Sequence, residues 1–135
     1  LGCNKIALGH HFDDVIETIM LNILYAGSYG TMMPKLKSDH YKNMELIRPL
    51  YLVKEYDIKK WAKYNNLLFI NCACSFTKKK LDSKRAEIKE LIKNLRAVYK
   101  DIDKNIFKSS ENINLNTVLG YKYNNQKHYF LDYYK

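Results

Sequence analysis

Apolar positions in the first part of the chain predict two strands separated by a helix. Residues 5–9 form a short apolar run that ends in glycine, which is typical of a buried strand. From Asp13 to Gly27 apolar residues recur at helical spacing, so we expect a largely buried helix. Asp14 and Glu17 have the spacing of a capping box at its start. After a loop, residues 44–50 predict a second strand that ends near a proline.

The pattern then continues with a helix over about 54–65, stopped by Asn65-Asn66, and a third apolar run over 67–70. A strongly amphipathic helix follows, with its apolar stripe built from Ile88, Leu91, Ile92, Leu95, Val98 and Tyr99. A shorter helix is expected over about 101–110, and a short extended piece over 129–131. Strand, helix, strand, helix, strand is the order of an α/β sheet with right-handed crossovers.

Composition narrows the class of protein. The 135 residues are 47% hydrophobic, enough for a modest core, and no apolar run reaches the roughly 20 residues of a membrane helix. The start resembles no secretion signal, and Leu1 in place of Met indicates a fragment. We therefore expect a cytoplasmic protein without a membrane segment.

Charge is concentrated in the second half. Residues 1–70 carry nine basic and seven acidic residues, whereas residues 71–135 carry fourteen and seven. Such a field attracts polyanions, nucleic acids included, although a solubilising lysine surface is an equal alternative. On the long helix, Arg85, Lys89 and Lys93 fit either a nucleic-acid-binding stripe or a solvated face.

The turn after the first predicted strand is the first candidate site. His10, His11, Asp13 and Asp14 lie where open α/β sheets bind ligands, at the start of a helix with free N–H groups. Imidazoles stabilise phosphate charge or move protons, and a carboxylate holds Mg²⁺. The alternatives are a simple helix cap and satisfied core histidines. The five glycines are scattered, so no glycine-rich phosphate loop is present.

The cysteines form the second candidate site. Cys72 and Cys74 follow the third apolar run, and a Cys-x-Cys pair can place two thiolates on one metal. Two thiolates are too few for zinc or a cubane cluster, so an inert or redox pair is an alternative. Cys3 precedes a strand at the opposite edge, and we expect it to serve packing. Three cysteines without a secretion signal indicate a reducing compartment.

These motifs in order resemble one family. Residues 1–18, with Gly9-His-His-Phe-Asp-Asp14 at their centre, are similar to the GHHxDDxxET segment of PP-loop ATP pyrophosphatases that modify tRNA. Met33-Pro-Lys-Leu36 and Ile47-Arg-Pro-Leu50 match the segments that follow. The cysteine loop, residues 84–92 and residues 105–113 resemble the later part of the tRNA 2-thiocytidine synthetase branch.

The resemblance implies a Rossmann-like adenine nucleotide α-hydrolase fold. Residues 1–75 would be the C-terminal part of the α/β domain, and residues 76–135 a basic helical extension and tail of the same domain. The implied reaction uses ATP and Mg²⁺ to adenylate the C2 oxygen of a tRNA cytidine, releases pyrophosphate and installs sulfur. The fragment alone is expected to be inactive, because the family's leading glycine-rich loop is missing.

The resemblance also assigns residues and partners. Asp14 and His11 would be catalytic, and His10, His11, Asp13 and Asp14 would bind the cofactor. A 4Fe-4S iron–sulfur cluster would be held by Cys74, with Cys72 as second choice, and by cysteines upstream. The expected partners are tRNA and a sulfur donor protein or sulfide, with a homodimer left open. The alternatives are a tRNA-lysidine synthetase-like ligase and a non-catalytic tRNA- or zinc-binding module.

Overall fold

The structure, a computed structural model, describes residues 2–68 and 79–134, and the side chains described in the second range begin at residue 83. The described α-helices and strands follow one another along the chain as β1 (Lys5–Ala7), α1 (Phe12–Tyr25), β2 (Lys35–Lys37), β3 (Glu45–Ile47), α2 (Glu55–Tyr64), α3 (Lys79–Val98), α4 (Ile102–Ser109), β4 (Gly120–Tyr123) and β5 (Gln126–Tyr129). Among these described elements, no helix is both long and apolar enough to cross a membrane.

A three-stranded sheet carries the expected parallel pair. β1 runs parallel to β3, and β2 adds to the other side of β3 in the antiparallel sense. Register places Ile6, Leu46 and Leu36 side by side on one face. On the opposite face Glu45 lies 3.7 Å from Lys5 and 3.1 Å from Lys35. The sheet is therefore amphipathic, and its apolar face is only half-buried.

The buried core lies between helices. α1 packs against α3 and α4, and the buried apolar side chains among the described residues come from these three helices: Phe12, Val15, Ile16, Ile19, Ile88, Ile92 and Ile106. Burying each such side chain stabilises a fold by about 1.5–3 kcal/mol. This core fixes the position of the turn that precedes α1.

Several sequence expectations are corrected at the edges of elements. Strand β2 was not predicted, because it carries a single apolar residue. The expected strand at 67–70 is not formed at Leu67 and Leu68, and its other two residues lie outside the described residues. Helix α2 forms as predicted, but none of its side chains is buried and Trp61 is 59% exposed. Its stop is confirmed, since Asn66 has a φ of 51°.

The ends of α1 and α3 are more exposed than their patterns predict. Leu24 in α1 and Val98 in α3 face solvent, so only part of each apolar stripe reaches the core. Cys3 is exposed, so the expectation that it serves packing is wrong. In the tail, the extended piece expected at 129–131 is instead the β4–β5 hairpin followed by a 3₁₀ turn at Phe130–Asp132.

Candidate functional site

The turn between β1 and α1 brings two histidines and two aspartates to one place. His11 is the N-cap of α1, and its backbone N–H donates to Asp14 Oδ2 at 3.0 Å. The same carboxylate oxygen lies 3.4 Å from His11 Nε2. The capping interaction therefore links His11 with Asp14, rather than Asp14 with Glu17 as the sequence suggested.

Asp13 joins the starts of two helices. Its Oδ2 accepts a hydrogen bond from the Glu55 backbone N–H at 2.7 Å, in the first turn of α2. Nearby, the Phe12 N–H donates to the Val53 carbonyl at 2.9 Å. The N-terminal ends of α1 and α2, each a positive dipole end, therefore lie next to one another, and this arrangement favours anions.

Arg96 closes this arrangement from α3. Its Nη2 donates to Asp13 Oδ1 at 2.8 Å, and its Nε donates to the two oxygens of buried Asp103 at 2.8 and 3.0 Å. Burial alone would raise the pKa of Asp13. Hydrogen bonds from Glu55 and Arg96, together with the positive charge of Arg96, outweigh that effect and lower the pKa. Asp13 is thus an ionised carboxylate with both oxygens engaged.

Glu17 is a buried carboxylate one turn further along α1. Its oxygens lie 3.2 Å from Arg85 Nε and 3.6 Å from Lys89 Nζ. Burial raises the pKa of Glu17, and the nearby charges of Lys89 and Arg85 reduce that rise. Sequence reasoning assigned Glu17 only to a cap; its signal was an acidic residue between Ile16 and Ile19 in an apolar helix.

The three predicted RNA-binding cations are all in ion pairs with acidic side chains. Arg85 lies 3.9 Å from Asp14 as well as against Glu17, and Lys89 also lies 4.0 Å from Glu55. Lys93, the most exposed of the three, pairs with Glu90 at 3.1 Å on the surface. Arg85 and Lys89 therefore face the acidic end of α1, instead of pointing away from it.

Two imidazole nitrogens at the turn have no hydrogen-bond partner among the described residues. His10 Nδ1 and His11 Nδ1 are buried, and neither has a hydrogen-bond partner within the described part of the chain. Buried polar atoms are normally paired, so we expect a water molecule, an ion or a bound group to pair with these two nitrogens. In the same part of the chain, no three His, Cys, Asp or Glu side chains are close enough to hold a metal ion. Cys72 and Cys74 lie outside the described residues.

The fold and this turn agree with the comparison with known families. Residues 1–95 match the family described as a PP-loop domain. The chain therefore belongs to the PP-loop domain family, and the Rossmann-like α/β fold class expected from the sequence is confirmed.

Particular relatives carry a more specific name. The chain is 41% identical over 113 residues to the tRNA-cytidine(32) 2-sulfurtransferase of Paraburkholderia phytofirmans, an alignment covering 84% of this chain and 33% of that protein. It is 47% identical over 94 residues to the protein of the same name from Burkholderia orbicola, covering 70% and 28%. The resemblance to the 2-thiocytidine branch is confirmed, and the chain spans about a third of the length of the curated relatives it matches.

Proposed function

We propose that this chain supplies part of the ATP site of an enzyme that thiolates a cytidine in tRNA through an adenylated intermediate. The observation that carries the proposal is the His10–Asp14 turn, where two buried imidazole nitrogens without a described partner lie beside a helix N-terminus. Membership of the PP-loop family and the name of its relatives support this function over a lysidine ligase or a non-catalytic module.

In this proposal the four residues of the turn divide the work. His10 and His11 would lie beside the phosphates and stabilise the charge that develops there. Asp14 would hold Mg²⁺ together with ATP phosphates, since Mg²⁺ is commonly bound by one or two carboxylates plus substrate oxygens. Asp13 lies within the same cofactor site, but it acts by position, because both of its oxygens already bind Glu55 and Arg96.

The proposed reaction consists of two successive displacements. The C2 oxygen of cytidine attacks the α-phosphorus of ATP, a P–O bond forms, and pyrophosphate leaves with the electrons of the broken bond. A sulfide-level sulfur then attacks C2, and AMP leaves with the former C2 oxygen. The chain's own residues hold the phosphates and the metal during the first displacement.

Sulfur delivery is assigned to the cysteine loop. We propose that Cys74, with Cys72 as second choice, ligates a 4Fe-4S cluster together with cysteines outside this chain. Thiolates are the usual ligands of such clusters, so the two cysteines fit this role. When bound, the cluster would supply the sulfur atom that is transferred to the cytidine. A zinc site would instead require a fourth protein ligand. The sulfur comes from a donor protein or sulfide.

The substrate RNA is proposed to lie against α3. Lys93 is the freest of the predicted cations, since an exposed pair with Glu90 contributes little stability. Arg85 and Lys89 would reach tRNA phosphates only by exchanging carboxylates for them. The proposed protein is cytoplasmic. Residues 1–75 form the C-terminal part of its α/β domain, and residues 76–135 form the helical extension and tail of that domain. A homodimer is the proposed alternative to a monomer.

A chimaera tests this function. The preceding part of the Paraburkholderia phytofirmans relative is joined ahead of this chain, and pyrophosphate release from ATP is measured with and without tRNA. We expect tRNA-dependent release by the chimaera and none by the 135-residue chain. A chimaera that folds, binds tRNA and releases no pyrophosphate would contradict the proposal.

A further inference from the structure

A cleft lies at the far end of α1 from the histidine turn. It has a volume of about 1060 Å³ and lies between the Gly27–Tyr29 loop, the stretch after α4, and the β4–β5 hairpin. We call it the hairpin cleft. Since α1 has 14 residues and a helix rises about 1.5 Å per residue, the cleft lies on the order of 20 Å from the His10–Asp14 turn.

The charges that line the hairpin cleft are of one sign. Its walls contain Lys122, Lys127 and His128 but no aspartate or glutamate. The register of the hairpin places Lys122 directly opposite Lys127. Like charges in this position destabilise a sheet, and neither lysine forms an ion pair with a described residue. The hairpin therefore offers two unneutralised ammonium groups to an anionic partner.

Aromatic rings line the same cleft. Tyr29 is 43% exposed, and its hydroxyl lies 2.6 Å from Ser109 Oγ, which fixes the ring on the α1 side. Tyr129 is 47% exposed and packs its ring against Gly120, where an added Cβ would lie 3.1 Å from it. Each half-exposed ring is held by the fold while one part of its surface remains accessible.

Side-chain contacts across and beyond the two strands hold the hairpin together. Tyr121 and His128 stack across the two strands with ring centroids 4.8 Å apart and an angle of 17° between planes. His128 Nδ1 lies 3.0 Å from the Tyr133 hydroxyl, which ties the chain after β5 back onto the hairpin. The turn residues Asn124 and Asn125 both have positive φ, as a tight two-residue hairpin requires.

Paired cations and accessible rings together are the features of surfaces that bind single-stranded nucleic acid. The cations follow the phosphates, and bases stack on the aromatic side chains without hydrogen-bond readout. A small anion would use the lysines alone, whereas a neutral peptide would leave the two ammonium groups unpaired. Most of the cleft's lining residues follow residue 95, where the match to the PP-loop domain ends, and only its Gly27–Tyr29 wall lies within the matched part.

We propose that the hairpin cleft binds an unpaired segment of the RNA substrate, with Lys122 and Lys127 on its phosphates and Tyr29 and Tyr129 against its bases. This inference rests on the proposed tRNA function and adds a second RNA contact to it. At about 20 Å from the histidine turn, the contact holds the RNA without touching the reacting cytidine.

The test measures RNA binding by the full 135-residue chain. Fluorescence anisotropy follows a labelled single-stranded RNA of ten nucleotides at several salt concentrations, with a fully paired RNA hairpin as the second probe. The charge variant is K122A/K127A, and its matched control is K42A/K60A, which removes the same charge from exposed positions elsewhere. Circular dichroism checks that every variant is folded.

For the charge variant we expect weaker binding of the single strand and a salt slope reduced by roughly 1.4, which corresponds to two single-strand phosphate contacts. The control should retain the slope. Tyr129→Leu should weaken binding by roughly 5- to 150-fold, the range for loss of one base stack, while Tyr129→Phe should not. Equal losses in both double variants, or stronger binding of the paired RNA, would overturn the proposal.

The chimaera separates this inference from the proposed function. If K122A/K127A leaves kcat for tRNA-dependent pyrophosphate release unchanged and raises KM for tRNA, the hairpin cleft is an RNA contact of an adenylating enzyme. If the chimaera releases no pyrophosphate but the chain shows the expected binding pattern, the function fails and the cleft stands. Unchanged KM together with unchanged single-strand affinity would overturn the cleft alone.

Discussion

Arg96 and Asp13 form a hydrogen-bonded ion pair across 83 residues of sequence, with Arg96 Nη2 2.8 Å from Asp13 Oδ1. The same guanidinium holds Asp103 in α4. One side chain of α3 therefore connects the first turn of α1 with α4, and Asp13 connects that turn with α2. The candidate ATP site is built onto this set of contacts.

Removing the Asp13 carboxylate should cost stability. Asp13→Asn keeps the size of the side chain but loses the charge that Arg96 faces, so we expect the free energy of unfolding to fall by roughly 1.5–3 kcal/mol, the range for hydrogen bonds to charged groups. Chemical denaturation at pH 7 measures it. Asp39→Asn, at an exposed loop position, is the matched control and should change stability by less than about 0.5 kcal/mol.

The lowered pKa of Asp13 sets the pH range of this effect. Its contribution is complete above its ordinary pKa of 3.8 and is lost as the pH falls through the lower folded value. The difference in stability between wild type and Asp13→Asn should therefore shrink below pH 4. A difference that stays constant down to pH 2 would show that the ion pair is not its cause.

Glu17 should show the opposite pH dependence. Its pKa is raised in the folded chain, so the unfolded state releases the proton first as the pH rises above 4.5, and the folded state loses stability from there to its own higher pKa. Glutamine does not titrate. We expect Glu17→Gln to gain stability relative to wild type across this window, as followed by urea denaturation between pH 4 and 7.

Glu90→Gln supplies the control for Glu17, because Glu90 lies on the exposed side of α3 and, among the described residues, forms its ion pair with Lys93. It should change the free energy of unfolding by less than about 0.5 kcal/mol, as is usual for a substitution at an exposed position. Strong destabilisation of Glu17→Gln throughout the range would contradict this prediction. It would show that the ion pairs of Glu17 with Arg85 and Lys89 stabilise the fold by more than the burial of the charge costs.

The predicted basic stripe provides a test of where tRNA lies. R85A/K89A/K93A should weaken the binding of different tRNAs about equally, because phosphate contacts carry no sequence information. The variant should also reduce the salt dependence of binding, because fewer phosphate charges are neutralised. Filter binding with the chimaera measures both quantities. Lys93→Ala alone should produce a measurable part of the effect, since Lys93 is the most exposed of the three. Unchanged affinity and slope would show that Arg85 and Lys89 serve the acidic residues of α1 and α2 and do not contact tRNA.

The cysteine loop is tested by metal content. In the anaerobically purified chimaera, Cys74→Ala should remove the visible absorption of the cluster and the thiolation of tRNA while ATP binding persists. Cys72→Ala should have the smaller effect. Full iron and sulfide content in Cys74→Ala would show that Cys74 is not a ligand, and stoichiometric zinc without iron would indicate the alternative metal site.

Periodicity predicted the helices well, because their apolar stripes are long and regular. α1, α2 and α4 form within a few residues of their expected bounds, and α3 contains the predicted apolar stripe from Ile88 to Val98, with Tyr99 just beyond its end. Periodicity did not predict strand β2 or the β4–β5 hairpin, because neither has an apolar run. The hairpin did carry a local signal in Asn124-Asn125, the residue type that tolerates the positive φ of its turn.

The site was only half predictable for a physical reason. The sequence indicated that His10, His11, Asp13 and Asp14 follow a strand and open a helix, which depends on local order. It could not show that Arg96 would reach Asp13, since that contact depends on how α3 packs against α1. Arg85 and Lys89 were placed on the outer face for the same reason.

The central claim is that the His10–Asp14 turn acts on the phosphates of ATP, and one comparison tests it most directly. Asp14→Asn is made in the chimaera, and tRNA-dependent pyrophosphate release is measured per folded molecule. Loss of a group that stabilises the transferred phosphoryl should lower kcat by roughly 10²- to 10³-fold, whereas loss of a helix cap costs only about 1 kcal/mol of stability. The account predicts the large fall in kcat with a small shift in Tm. Unchanged kcat with a large fall in Tm would contradict it.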